Sequence, residues 1–371
     1  MRLKRLELWW RKLWIRILVR LMRRPAAGEL PNWASRPHRV LFLRHDRAGD
    51  MIVSTGVMRA IARSHPTIVM DVLASPANAT ILDAAPYVHH AIVFDRKKLS
   101  RYPATCLRLR RAKYDAVIDC MVTAPSVTTL LLILASGARF RIGIAGRGND
   151  AAFNITVPAD TRADAHMVDL LSALAAAFQV DPGVVERRPT LEVTDAERAR
   201  AEAAWDSGDD ARRVLVNISA GSSERVWPEA NYAAVINRVR ARDPNAVVRI
   251  IAAPNELDRA RTIAGDTAAT VVPTPSIRDA FALVASADLV FTPDTSITHA
   301  ASAFRTPSVV IFVKGKPERW GLYDTPGVNV EHTEGTLATL PLERVLAALD
   351  EQLDRPLERG RIGHASLGKT R

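Results

Sequence analysis

Three stretches of this sequence bring together acidic, basic, hydroxyl and small residues at spacings suited to acid–base work or anion binding. The first is Arg44-His45-Asp46-Arg47-Ala48-Gly49-Asp50. Gly49 permits a tight turn and close approach of a ligand. Asp50 stands just before an expected helix over Met51–Arg63, either as its N-cap or as a carboxylate available for general-base work. The second is Ser219-Ala220-Gly221-Ser222-Ser223-Glu224-Arg225-Val226-Trp227-Pro228. Small residues and hydroxyls before a helix start suit an anion, because unpaired N–H groups and the helix dipole both favour negative charge. Arg225 would add charge-assisted hydrogen bonds; an ordinary strand-to-helix loop is the alternative. The third is Thr292-Pro293-Asp294-Thr295-Ser296-Ile297-Thr298-His299. Here Thr295 and Ser296 can offer hydroxyls and N–H groups to phosphate. Asp294 can accept from sugar hydroxyls or cap the helix. His299, four residues after Thr295, shares its helix face and is either a ligand contact or structural.

The elements that must position these loops are short apolar runs alternating with helical stretches. In the first half, strands are expected at Val40–Leu43, Ile68–Leu73, Ala91–Phe94, Ala116–Asp119 and Arg141–Ile144. Helices fit Met51–Arg63, Leu107–Ala112 and Met167–Phe178. In the second half, strands are expected at Val214–Ile218, Val247–Ala252, Thr270–Val272, Leu289–Phe291 and Ser308–Phe312. Helices there fit Glu229–Arg242, Glu256–Ala264, Ile277–Ser286 and Ile297–Phe304. This rhythm predicts two doubly wound α/β domains with parallel sheets covered on both faces. Ligands of such sheets bind beyond the carboxyl ends of the strands, where all three loops fall. The domains are expected at residues 38–182 and 183–350, with a basic tail over 351–371.

The net charge of +11 over 371 residues is concentrated at one end. Residues 1–24 hold nine basic side chains and Glu7, a net +8, so the remainder is nearly balanced. No dense basic stripe with interleaved aromatics follows, so nucleic acid is not an expected partner. On a helix, Leu3, Leu6, Trp10, Leu13, Trp14, Ile17 and Leu21 share one face, with Arg5, Lys12, Arg16, Arg20 and Arg23 opposite. Charge interrupts this stretch too often for a bilayer span. Tryptophan opposite arginine suits a helix lying in an anionic membrane surface, with Trp10, Trp14, Arg16 and Arg20 as anchors. A helix packed on the body or on a partner is the alternative. Residues 25–37, rich in Pro, Gly and Ser, read as a linker.

Other chemistries lack their signatures. There is no GxxxxGK[ST] loop, no HExxH and no GxSxG, and Gly143–Gly148 lacks the order of a GxGxxG fingerprint. Cys106 and Cys120 have no CxxC spacing, so neither a disulfide framework nor a zinc site is expected.

In these loops the sequence resembles glycosyltransferase family 9, the ADP-heptose:lipopolysaccharide heptosyltransferases and their relatives. Arg44–Asp50 matches that family's RxDxxGD opening, and Gly221–Pro228 its GxxxKxWP element. Asp294–His299, the run Ala300–Pro307, and Pro317-Glu318-Arg319-Trp320-Gly321 match its D[ST]GxxH…GTP…PxRWG block. The resemblance extends from Arg39 to Tyr323 and implies a GT-B fold, two Rossmann-like domains facing a cleft. It implies inverting transfer without metal or cofactor, from a nucleotide sugar, ADP-linked, to a lipid-linked glycan at the inner face of the cytoplasmic membrane. Asp50 would be the base and Arg225 the stabiliser of the departing diphosphate. Gly221, Ser222, Ser223, Asp294, Thr295, Ser296, His299 and, more loosely, Glu256 would hold the donor. Arg44, Asp46 and Gly49 would form the acceptor-side loop. Two positions depart from the pattern: Arg225 stands where Lys is usual, and Ser296 where Gly is usual. A catalytically silent, membrane-bound sugar-nucleotide binder of the same fold is the competing reading, and a GT-B nucleotide-sugar epimerase a third.

Overall fold

The computed structural model describes residues 2–23, 27, 29–122, 125–160, 162, 164–206, 208 and 211–356, with backbone alone for 2–8 and 11. The chain divides into two compact units, Met1–Thr190 and Leu191–Arg371.

The first unit contains strands β1 (Arg39–Arg44), β2 (Val69–Ala74), β3 (His90–Val93), β4 (Ala116–Asp119), β5 (Phe140–Ile144) and β6 (Ile155–Val157). Its helices are α1 (Arg2–Met22), α2 (Ala48–Ser64), α3 (Tyr102–Arg111), α4 (Val127–Ser136) and α5 (Met167–Ser172). All strands are parallel, in the order β3-β2-β1-β4-β5-β6. The second unit contains β7 (Arg213–Asn217), β8 (Val247–Ile251), β9 (Thr270–Val271), β10 (Leu289–Pro293), β11 (Ser308–Val313) and β12 (Gly327–His332). Its helices are α6 (Asp195–Trp205), α7 (Glu229–Arg242), α8 (Leu257–Gly265), α9 (Ile277–Ser286), α10 (Ser296–Phe304), α11 (Pro317–Trp320) and α12 (Leu342–Leu353). Its order, β12-β11-β10-β7-β8-β9, is the same topology read from the other edge. Each sheet therefore reverses its winding direction once, between β1 and β4 and between β7 and β10. A crevice opens at such a switch point, at the carboxyl ends of the strands.

The central strands are apolar on both faces because helices cover both. Val40, Leu41, Phe42 and Leu43 of β1, and Val214, Leu215 and Val216 of β7, are fully buried. Helix starts are set by local hydrogen bonds. Thr194 with Glu197 and Ser276 with Asp279 form reciprocal capping boxes on α6 and α9. Helix α4 was not among the expected elements: its run of Leu, Ile and β-branched residues carries no single periodicity. Ser126 caps its start, and Gly137, in the left-handed region at φ +64°, ends it. Strands β6 and β12 and helices α6 and α12 were likewise not foreseen. The basic tail beyond Pro356 lies outside the described residues.

The segment expected as a linker is pinned to the first unit. Trp33 is fully buried, stacks on Phe178 at 4.6 Å, and donates its indole N–H to the Ala177 carbonyl at 2.9 Å. Residues 183–190 also belong to the first unit. There Thr190 N–H donates to Thr55 Oγ1 at 2.8 Å, and Glu186 pairs with Arg59. A Cβ on Gly56 would lie 2.4 Å from the Arg187 carbonyl oxygen, so this contact is backbone on backbone.

Helix α1 packs on the unit by a face other than the one the sequence singled out. Ile15, Leu18, Val19 and Met22, spaced i, i+3, i+4, i+7, join the core that includes Leu130 and Ile133 of α4. Trp10, Trp14, Ile17 and Leu21 instead remain exposed, at 48%, 51%, 37% and 75%. Projected down the helix, the docked stripe, the open apolar stripe and the Lys12-Arg16-Arg20-Arg23 stripe are spaced by about 105–135°. Two apolar stripes thus replace the single apolar face expected. Among the described residues no helix is long and apolar enough to cross a membrane.

Candidate active site

In the first unit the switch point is bridged by Arg44, the last residue of β1. Its side chain is 1% exposed and each of its three nitrogens has a partner. Nε donates to the Asp50 carbonyl at 2.7 Å, Nη2 to Asp50 Oδ1 at 3.2 Å, and Nη1 to the Cys120 carbonyl just past β4. Nη1 also pairs with Asp46 Oδ2 at 3.3 Å. Asn78 fixes the same loop from the β2 side, donating to the Arg44 carbonyl at 3.0 Å, while Ser75 Oγ donates to the Asp46 carbonyl at 2.8 Å.

Helix α2 begins at Ala48, earlier than expected, and its N-cap residue is Arg47. Asp50 is therefore not the cap. It is the third residue of the helix, with its carboxylate at the positive end of the dipole. Gly49 likewise lies within the first helical turn and not in a left-handed turn. Arg44 occupies one Asp50 carboxylate oxygen, Oδ1.

The surrounding groups are tuned by burial. Asp46 is pushed up to about 6 by burial, with Arg44 opposing and the nearby Asp50 charge adding to the rise. Asp119, at the end of β4, is pushed up to about 7 by burial, although the Met121 N–H donates to it at 2.8 Å. Burial lowers His45 to about 4, so this ring is neutral at pH 7; it lies against Thr129 Oγ1 at 3.3 Å and edge-on to Phe94. Asp119, Asn78 and the Cys120 carbonyl were not singled out from sequence. Asp119 carried a usable signal, being an acid at the carboxyl end of an expected strand. Nothing local marks Asn78 or a backbone carbonyl.

In the second unit the corresponding bridge is Asn217, the last residue of β7. It donates to Thr292 Oγ1 at 2.9 Å and Thr295 Oγ1 at 3.2 Å, joining the loops after β7 and β10. Thr295 caps α10 by accepting the Ile297 N–H, and Ser296 opens the helix. The cap is thus Thr295 and not Asp294. Asp294 holds Arg225 twice: Arg225 Nη1 donates to its carbonyl at 2.8 Å, and Nη2 pairs with Oδ2 at 2.9 Å. This sets a guanidinium beside the N-terminus of α10, two positive features on one loop pair.

Gly221, Ser222 and Ser223 are exposed on the loop before Arg225. A Cβ on Gly221 would meet only Arg225 Nη1, at 3.8 Å, so packing does not demand glycine there. Glu256 sits behind this loop. Its Oε2 accepts the Ala220 N–H at 3.3 Å and its Oε1 pairs with Arg259 at 3.2 Å. His299 is buried at 5% exposure with its ring 6.2 Å from that of Trp320. Arg225, Asp294, Thr295 and Ser296 are therefore brought together, with Asn217 as a support the sequence did not reveal.

The family model described as glycosyltransferase family 9 (heptosyltransferase) matches residues 104–346, well over half of the chain. The chain belongs to glycosyltransferase family 9. As a member of that family it is a glycosyltransferase. The Arg44–Asp50 loop precedes the matched span. Lipopolysaccharide heptosyltransferase 2 of Escherichia coli is 23% identical over 315 residues, covering 76% of this chain and 84% of that protein. Lipopolysaccharide core heptosyltransferase OpsX of Haemophilus influenzae is 22% identical over 301 residues, covering 80% and 84%. Among solved structures, a family 9 glycosyl transferase from Veillonella parvula matches with a TM-score of 0.73 at 16% identity, covering 86% of this chain and 98% of that one. E. coli ADP-heptose lps heptosyltransferase II matches at 0.68 and 20% identity, covering 85% and 98%. The fold shared with these family 9 structures is the GT-B class.

Proposed function

We propose that this family 9 glycosyltransferase moves a heptosyl unit from ADP-heptose to a lipid-linked acceptor in lipopolysaccharide core assembly. The names of its relatives supply the sugar and the pathway. The observation that carries the chemistry is that each unit holds an ionic pair at its own switch point, Arg44–Asp50 in one and Arg225–Asp294 in the other. In this reading the free Asp50 oxygen takes the proton of the acceptor hydroxyl. The hydroxyl oxygen attacks the anomeric carbon as the bond from that carbon to the diphosphate breaks on the opposite face. Configuration therefore inverts. The charge gathering on the diphosphate is met by Arg225 and by the N–H groups opening α10, near Thr295 and Ser296. Asp294 positions Arg225, and the exposed Gly221-Ser222-Ser223 backbone and hydroxyls add donors. Glu256 lies toward the nucleoside and His299 lines the donor pocket. With cationic and dipolar groups serving the leaving group, the reaction needs neither metal nor cofactor. Arg44 is a positioning residue for Asp50, and Asp46 and Gly49 shape the acceptor-side loop.

Helix α1 holds the enzyme at the inner face of the cytoplasmic membrane. Its open stripe of Trp10, Trp14, Ile17 and Leu21 is flanked by exposed Arg16 and Arg20. Leu131 and Leu134 of α4, the helix on which α1 packs, are exposed as well.

Release of nucleoside diphosphate tests the whole reading: the protein is incubated with a panel of nucleotide sugars and a lipid-linked acceptor. Turnover with ADP-heptose is the expected result. Donor binding with no transfer to any acceptor would overturn the catalytic reading in favour of a silent sugar-nucleotide binder.

A further inference from the structure

At the opposite edge of the first sheet, by the amino ends of β1 to β3, lies a polar cluster that the transfer chemistry does not use. Asp71 of β2 is 2% exposed and pairs in register with His90 of the edge strand β3. Its two carboxylate oxygens do different jobs. Oδ2 accepts the Tyr114 hydroxyl at 2.7 Å and Arg39 Nη2 at 3.0 Å. Oδ1 faces His89 Nδ1 at 3.0 Å and His90 Nδ1 at 3.6 Å. The two imidazole Nδ1 atoms are themselves 2.6 Å apart, with their ring planes at 86°.

That last spacing is shorter than an ordinary N–H···N hydrogen bond. A cation resolves it. Three donor atoms at mutual distances of 2.6, 3.0 and 3.6 Å define a triangle. A point about 2.1 Å from all three, the usual metal–ligand length, lies about 1 Å out of its plane. An ion there would also spread the two nitrogens toward normal ligand spacing. Two neutral imidazoles and a carboxylate are the donor set of a borderline divalent ion such as Zn²⁺, not of Mg²⁺ or Ca²⁺. Tyr114 and Arg39, bound to the far oxygen, fix the carboxylate so that Oδ1 is presented to the histidines, the arrangement expected of a ligand's supporting partners. His89 and His90 are about half exposed, which gives an entry path and room for water to complete the coordination.

We propose that Asp71, His89 and His90 form a binding site for a divalent transition-metal ion that clamps the edge strand β3 to β2. About 16 Å of β1 separates Arg39 from Arg44 at the usual rise per residue, so the site is structural and lies away from the transfer chemistry.

The test uses full-length untagged protein stripped with a chelator and titrated with Zn²⁺ by calorimetry and with Co²⁺ by visible absorption. One equivalent is expected to bind with a saturable heat. Cobalt should give ligand-field bands, and Zn²⁺ but not Mg²⁺ should raise Tm. Because both histidines are exposed, H89A/H90A should fold normally yet lose the stoichiometric binding and the Tm rise. Tyr114→Phe should weaken Zn²⁺ by about 10-fold. Equal Zn²⁺ affinity in H89A/H90A and the natural protein, no saturable binding in the latter, or an equal response to Mg²⁺ would each overturn the proposal.

Discussion

Arg44 grips Asp50 at two points, one on its carboxylate and one on its backbone carbonyl, from a position that is itself 1% exposed. The fork that does this also reaches across the switch point to the Cys120 carbonyl. A guanidinium has the planar set of donors this requires, and an ammonium does not. Arg44→Lys should therefore keep the charge and lose the geometry. It should lower stability by about 1–3 kcal/mol, because buried acceptors lose their donors. It should also lower kcat more than KM for the acceptor. Denaturation and steady-state kinetics on one preparation check both; a kcat equal to that of the natural enzyme would refute Arg44 as a positioning residue.

Arg225 is held by Asp294 at two points, and the proposed function gives it the departing diphosphate as well. Arg225→Ala should reduce kcat by about 10²–10³, the usual effect of deleting one donor to developing charge. Arg225→Lys should recover part of that loss. Asp294→Asn removes the anionic tether and should cost less than Arg225→Ala, since the Asp294 carbonyl still holds Nη1. Equal rates for all three variants would contradict the leaving-group role.

The two apolar stripes of α1 make opposite predictions. Trp10→Glu/Trp14→Glu alters only the open stripe, so Tm should hold while co-sedimentation with anionic vesicles falls several-fold. Binding of the natural protein should also weaken as salt rises, because Arg16 and Arg20 contribute about 1 kcal/mol each near an anionic surface. Leu18→Glu alters the docked stripe and should lower Tm instead. Unchanged vesicle binding in the tryptophan double variant would remove the membrane role.

The buried carboxyls near Arg44 give a signed pH dependence. Asp119 is raised from 3.8 to about 7 and Asp46 to about 6. Between pH 4 and these values the folded protein holds protons that the unfolded chain has released, so stability falls as pH rises through this window and levels off above it. Asp119→Asn should flatten that fall. At pH 8 it should raise Tm by about 2–4 °C, corresponding to about 1 kcal/mol. An unchanged Tm profile from pH 4 to 8 would show that Asp119 is not held protonated by its surroundings.

Most of the two sheets was legible in the sequence, because continuous apolar strands alternating with helices leave a periodic trace. The charged loops were legible too, since they follow strands and combine types that packing alone does not call for. What escaped has physical causes. Helix α4 is apolar on too many sides to show a period, and β6 is only three residues long. The docked face of α1 could not be read because Ile15, Leu18, Val19 and Met22 form a second stripe as regular as the first. The start of α2 was expected at Met51, which left a cap among the readings of Asp50, because nothing local reveals that the helix gains its first turn at Ala48. Asn78, Asn217 and the Cys120 carbonyl act through contacts 34 to 78 residues away along the chain, beyond the reach of any local pattern.

The central claim is that Asp50 is the base of a sugar-nucleotide-dependent transfer. The most direct measurement is ADP release by Asp50→Asn with ADP-heptose and lipid-linked acceptor, alongside donor affinity for the same variant. We predict donor affinity within about twofold of the natural enzyme and a turnover lower by about 10²–10⁴. Turnover equal to that of the natural enzyme would contradict the account.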